Sequence, residues 1–155
     1  MKDQVATTIS KFNVDHSCAV LLATHNGARW LPDQLSSLRA QHDVRLRVIA
    51  SDDRSSDCTN NLLREMSSKL PLVILPTQAE RFGSANRNFL RLIRDADIAD
   101  SEYIAFADQD DIWRPDKLSH AIEELLKGRA DAYSSDFEAL WSDGRSRIVK
   151  KSYPQ

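Results

Sequence analysis

The chain has 155 residues, enough for one domain with a core that needs no disulfide or metal staples. Its 21 Lys and Arg against 23 Asp and Glu leave a formal net charge of -2, which argues against nucleic acid or an anionic membrane surface as a general partner. The longest apolar run, Cys18 to Ala23, is far short of a bilayer span, so neither a transmembrane segment nor a secretory signal is expected.

Met1 to Asp15 is polar and unpatterned, and reads as a loose leader ahead of a single domain over 16–155. Ser17 to Thr24 reads as a buried strand that gives way to the turn signal His25-Asn26-Gly27. A helix follows, with Pro32 in its first turn and Leu31, Leu35 and Leu38 along one face. Val44 to Ser51 is a second strand and ends in Asp52-Asp53. Capping residues then precede a helix from near Thr59, with Asp57 as its cap and Leu62, Leu63 and Met66 inward. Leu70 to Leu75 is a third strand, with Pro71 tolerated at its entry.

After a loop containing Arg81-Phe82-Gly83, the spacing predicts a helix over Ala85 to Ala96 with Phe89, Leu92, Ile93 and Ala96 inward. Tyr103 to Ala107 is a fourth strand, running straight into Asp108, Asp110 and Asp111 before Pro115 opens another helix. Leu118, Ile122, Leu125 and Leu126 mark the inner face of that helix, and Gly128 its C-terminal cap. Ala130 to Ser135 reads as a fifth strand, and Ser142-Asp143-Gly144-Arg145 as a hairpin turn. The cysteines Cys18 and Cys58 lack metal-site spacing and read as free thiols in a reducing compartment.

Strands and helices alternating every 25 to 30 residues or so imply an α/β fold, an open and mostly parallel sheet flanked by helices in the Rossmann manner. Ligands of such sheets lie beyond the carboxyl ends of the strands. Three strands here end in polar clusters: Thr24-His25-Asn26, Asp52-Asp53 and Asp108 to Asp111. Carboxylates as close as the last group repel one another, and a hard divalent cation, Mn2+ or Mg2+, relieves that repulsion with oxygen ligands. The plainer alternative is that the acids cap the following helix.

Ala-Thr-His-Asn-Gly after the first strand, Ser-Asp-Asp-Arg-Ser-Ser-Asp after the second, Gly83-Ser84-Ala85-Asn86-Arg87-Asn88, and Phe-Ala-Asp-Gln-Asp-Asp-Ile-Trp occur in the order seen in one family. Over roughly Ser17 to Asp143 the chain resembles the inverting family-2 glycosyltransferases of the GT-A fold, closest in wording to rhamnosyltransferase-like bacterial members. The resemblance implies a nucleoside diphosphate sugar as donor and a glycan or lipid-linked acceptor. It places Thr24, His25, Asn26, Asp52, Asp53 and Arg87 at the donor nucleotide, with Arg81 a weaker match. Asp108 and Asp110 become the ligands of Mn2+ or Mg2+, and Asp111 orients the sugar or supports the metal. His25 stands where the family often has an aromatic Tyr. Arg54 stands where it usually has Gly, which questions the turn rather than the acids.

The resemblance also implies a cytoplasmic location, with peripheral contact at the inner membrane face. It places the general base beyond the metal motif, and Asp136, Glu138 and Asp143 do not match its context. The chain is therefore expected to be the donor-binding part of the enzyme, with its catalytic base unassigned. Alternatives are a non-catalytic nucleotide-sugar-binding fragment and a metal-dependent haloacid-dehalogenase-like phosphatase, which also uses Asp-x-Asp at a strand end. A receiver-like module fits less well, since it needs an acidic pair where this chain has Thr24-His25-Asn26.

Overall fold

The computed structural model describes residues 16–151, so the leader expected over Met1 to Asp15 lies outside the described residues. These residues form two compact units, one ending at Ser119 and one beginning at His120.

The first unit holds β1 (Ser17–Thr24), β2 (Arg45–Asp52), β3 (Leu72–Ile74) and β4 (Tyr103–Asp108) in one sheet of order β3-β2-β1-β4. All neighbours are parallel. Every residue of β1 is buried, as a central parallel strand covered on both faces requires. Its side chains alternate between two cores. Cys18, Val20 and Leu22 pack with Leu31, Leu35 and Leu38 of α1 (Leu31–Arg39) and Leu63 of α2 (Thr59–Met66). Ala19, Leu21 and Ala23 face Leu92 and Phe89 of α3 (Ala85–Asp95). The register pairs Thr24 with Asp52 and Ala23 with Asp108, which brings the carboxyl ends of β1, β2 and β4 to one rim.

α4 (Lys117–Gly128) starts in the first unit and continues in the second. The second unit also contains the antiparallel hairpin of β5 (Phe137–Leu140) and β6 (Ser146–Val149). Its turn falls where the sequence placed it: Gly144 takes φ +85, and Trp141 N–H donates to the Arg145 carbonyl at 2.9 Å.

Four expectations are corrected. No strand forms over Ala130 to Ser135; the extended segment begins at Phe137, because the Gly144 turn fixes the register as Phe137 opposite Val149 and leaves the earlier residues unpaired. Ile93 is 53% exposed, since Asn88 and Arg91 occupy the inner stripe of α3 beside Leu92. Leu126 is likewise exposed in the last turn of α4. The left-handed residue ending α4 is Arg129 (φ +48), not Gly128, and Ala130 N–H closes the turn on the Leu125 carbonyl at 3.1 Å.

Leu92 and Ile93 are adjacent in sequence and opposite in environment. Leu92→Ala is expected to cost about 3 kcal/mol of unfolding free energy and Ile93→Ala less than about 1 kcal/mol. Urea denaturation of the two variants checks this, and equal costs would contradict the placement of α3.

Candidate functional site

The rim is held together by side chains that bond to neighbouring strand ends. Asp52, 5% exposed, accepts from Thr24 Oγ1 (2.9 Å), Ser55 N (2.8 Å), Ser55 Oγ (2.5 Å) and Asn60 Nδ2 (2.7 Å). Four donors compensate the burial of this carboxylate and bind β1, β2 and α2 to one another. Asp53 N–H donates to the Thr24 carbonyl at 2.8 Å. The Asp53 side chain, also buried, accepts from Phe82 N at 2.5 Å and Gly83 N at 2.9 Å, with Arg81 Nε 3.7 Å away. Asp52 thus shapes the turn from within, whereas Asp53 fixes the 81–83 loop over the strand ends.

The turn after β2 passes through Arg54 at φ +55, the left-handed region. Arg therefore adopts the backbone conformation that glycine takes at lowest cost, and its guanidinium bonds the Ala79 carbonyl. Asn26 is also left-handed (φ +48), and its Oδ1 accepts from Ser56 N at 2.8 Å. His25 Nδ1 lies 2.8 Å from the Asp53 carbonyl, which only accepts, so this nitrogen carries the proton. Nε2 then accepts from Asn26 Nδ2 at 3.2 Å. The cap expected at Asp57 is not formed: Cys58 holds the N-cap position of α2 without a side-chain cap bond, and Asp57, one residue earlier, accepts from Thr59 N and Oγ1 and from Ala28 N. Burial pushes its carboxyl up, and these bonds together outweigh that and hold it below the usual range.

A crevice of about 320 Å3 opens on this rim. Thr24, His25, Asp53, Arg81, Gly83 and Asn88 line it together with Asp108, Gln109 and Asp110. Of the residues singled out from sequence, Thr24, His25, Asp53, Asp108 and Asp110 meet here. Asn26, Asp52, Arg87 and Asp111 do not line it, and the weaker match, Arg81, does. Arg87 is exposed on α3, with its guanidinium 3.4 Å from the Phe82 carbonyl. Trp113 is 4% exposed and belongs to the core below, with Lys117 Nζ 4.6 Å from its ring centroid.

Asp108 is pushed above the usual carboxylate range, first by partial burial and then by the charges of Asp111 and Asp110. Among the described residues no three His, Cys, Asp or Glu side chains gather closely enough to hold a metal by themselves. Asp108 and Asp110 are nevertheless hard oxygen donors in an electronegative position, which suits a cation completed by ligand phosphates and water.

Several contributors were not read from the sequence. Asn88, 2% exposed, donates to the Thr24 carbonyl (3.3 Å) and the Ser51 carbonyl (2.9 Å), and accepts from Ser51 Oγ. Arg91, 3% exposed, donates to Ser51 Oγ at 2.9 Å and to the Pro76 carbonyl. The available signal was spacing: both share a helix face with buried Leu92, and polarity hid them. Gln109 was read only as the spacer between two acids.

The family model described as Glycosyl transferase family 2 matches residues 19–143. The dTDP-rhamnosyl transferase RfbG of Shigella flexneri is 42% identical over 136 residues, which are 86% of this chain and 47% of that protein. The amylovoran biosynthesis glycosyltransferase AmsB of Erwinia amylovora is 30% identical over 76% of this chain and 39% of its own length. This chain thus spans about half, or less, of the relatives it matches. Solved structures share the fold, among them two with a bound donor sugar nucleotide. Staphylococcus aureus TarS 1-349 in complex with UDP-GlcNAc superposes with a TM-score of 0.65 at 22% identity, covering 73% of this chain and 32% of that one. The mannosyltransferase PcManGT of Pyrobaculum calidifontis, in complex with GDP-Man and Mn2+, gives 0.60 at 25% identity, covering 70% and 32%.

Two predictions arise from the rim. Arg54→Gly is expected to leave stability unchanged or raise it by about 0.5 kcal/mol, while Arg54→Val lowers it by about 1–2 kcal/mol. A valine variant as stable as the parent in urea would contradict the left-handed turn. For Asp108, a folded-state pKa above the unfolded value means that ionisation disfavours the fold. Its contribution is fully present below the ordinary carboxylate pKa and is lost as pH rises through the raised value. Asp108→Asn is therefore expected to melt higher than the parent at pH 7 without metal, with the gain vanishing at acid pH; scanning calorimetry at both pH values reads the sign.

Proposed function

The chain belongs to glycosyl transferase family 2, and from that premise we propose that it forms the donor-binding portion of an enzyme of polysaccharide or cell-surface glycan synthesis. The enzyme transfers a sugar, of rhamnose type by analogy with the 42% identical Shigella flexneri relative, from a nucleoside diphosphate to an acceptor hydroxyl. Family membership sets aside the phosphatase and receiver alternatives. The observation that carries the reading is the crevice itself: one cleft lined both by Asp53, after β2, with Arg81, and by Asp108 and Asp110, across β1 at the end of β4. A nucleotide base and a diphosphate are the two ends of a ligand that such a cleft suits.

In this reading the base lies near His25 and Asp53. Each Asp53 oxygen already accepts one backbone N–H, from Phe82 and Gly83, and an ionised carboxylate has about four acceptor positions. A pyrimidine imide N–H can take one that is left, and the charged acceptor strengthens the bond. Arg81, half-exposed beside Asp53, supplies positive charge at the nucleotide end of the cleft. Thr24, with its hydroxyl committed to Asp52, keeps the first loop in place.

Asp108 and Asp110 are the residues that would hold Mn2+ or Mg2+, whose chemistry is to neutralise negative charge on the departing diphosphate. Asp111 stays near enough to add to the local field. The protein's own part is orientation: fixing the anomeric carbon of the donor toward the open side of the rim, where the acceptor hydroxyl must arrive. No residue is assigned as general base. The acceptor, glycan or lipid-linked, approaches at the cytoplasmic face, a location that suits the free thiols of Cys18 and Cys58. Among the described residues no helix is long and apolar enough to cross a membrane.

Calorimetric titration of the chain with dTDP, UDP and GDP tests the proposal. A pyrimidine nucleoside diphosphate is expected to bind about tenfold or more tighter with Mn2+ than without, and Asp110→Asn is expected to remove that gain. Binding that ignores the metal would overturn the assignment of Asp108 and Asp110.

A further inference from the structure

Gln109 stands between the two candidate metal ligands and is the one side chain of the β4 loop that bonds the β1 loop through both of its polar atoms. Its Oε1 accepts from His25 N at 2.8 Å, and its Nε2 donates to the His25 carbonyl at 3.0 Å. The amide therefore mimics a paired strand, gripping the backbone of the residue that lines the base side of the crevice. Space for it is provided by Gly27. A methyl group added there would fall 2.2 Å from Gln109 Oε1 and 2.5 Å from its amide carbon. Gly27 does not have a positive φ, so its small size here serves the neighbour and not the backbone.

The acid turn needs such a fastening. The charges of Asp111 and Asp110 bear on Asp108, and the turn that carries them follows the last strand on its side of the sheet. Two hydrogen bonds to backbone atoms of the loop after β1, the buried central strand, fasten the residue flanked by both acids.

We propose that Gln109 is a positioning residue that couples the metal end of the donor site to its base end, with Gly27 as the residue that admits it. The proposal rests on the donor-binding reading above. Without the clamp the two ends still exist, but they are no longer held at one separation. Ligands that bridge them lose most.

The test uses the full 155-residue chain, thymidine 5′-diphosphate and Mn2+. For Gln109→Ala, the gain in diphosphate affinity on adding Mn2+ is expected to fall by about fivefold or more, while affinity without metal changes less than about twofold. A merely structural residue would weaken both alike, and equal losses, or none, would overturn the coupling. Thermal denaturation of Gly27→Ala in the two backgrounds is a separate readout. The substitution is expected to lower the melting temperature by several degrees when Gln109 is present, and by less than half as much in Gln109→Ala. Equal penalties would overturn the role of Gly27. If the unaltered chain binds no nucleoside diphosphate, the donor reading itself fails, a result distinct from failure of the coupling in a chain that binds normally.

Discussion

The structure depends on one constraint: the carboxyl end of β1 is bonded to its neighbours on both sides at once. Toward β2, Thr24 Oγ1 meets Asp52, the Thr24 carbonyl receives Asp53 N–H, and His25 reaches back to the Asp53 carbonyl. Toward β4, the Gln109 amide pairs with the His25 backbone. Beneath, Asn88 donates to the carbonyls of Thr24 and Ser51 from the helix under the sheet. Parallel register alone would level the strand ends. These bonds tie the three loops to one another around the cleft.

This arrangement explains a division of labour among the acids. Asp52 and Asp53 are adjacent, both buried, and chemically identical, yet they serve differently because successive residues at a strand end point to opposite faces. Asp52 turns toward α2 and the Ser55 turn, where four donors consume it. Asp53 turns toward α3 and the 81–83 loop, into the crevice. The same parity separates Asp108, on the crevice face of β4, from Ala107 in the α1 and α2 core. Asp111 and Arg87, attractive by motif position, sit outside the cleft for reasons of geometry that no pattern of residue types contains.

Much of the fold was legible because burial leaves a plain pattern. The eight buried residues of β1, the leucines of α1 and the Gly144 turn each state their structure locally. Legibility failed where a polar residue took a core position. Asn88 and Arg91 occupy the stripe that periodicity reserved for Ile93, and their bonding partners lie 37 and 40 residues away on β2 and 15 residues away at Pro76. It failed again at 130–135, where the residues find no partner strand and the hairpin register decides. Arg54 is a third case: residue type spoke against the glycine-like turn, and long-range bonds from Asp53 and Ala79 impose it anyway. The candidate site was half legible, its acids by motif and its clamp, Gln109 against Gly27, only by contact.

In the proposed donor site Asp108 and Asp110, which line the same cleft as Asp53, would hold a divalent ion. Mn2+ is paramagnetic and broadens the nuclear resonances of groups close to it, so a titration of the 15N-labelled chain with Mn2+ and thymidine 5′-diphosphate locates the ion directly. The account predicts early loss of the amide signals of Asp108 to Asp111, followed by those of His25 and Gly83 across the crevice, with the α1 and α2 face unaffected. Broadening centred elsewhere, or confined to the acids while the crevice residues stay sharp with the nucleotide present, would contradict it.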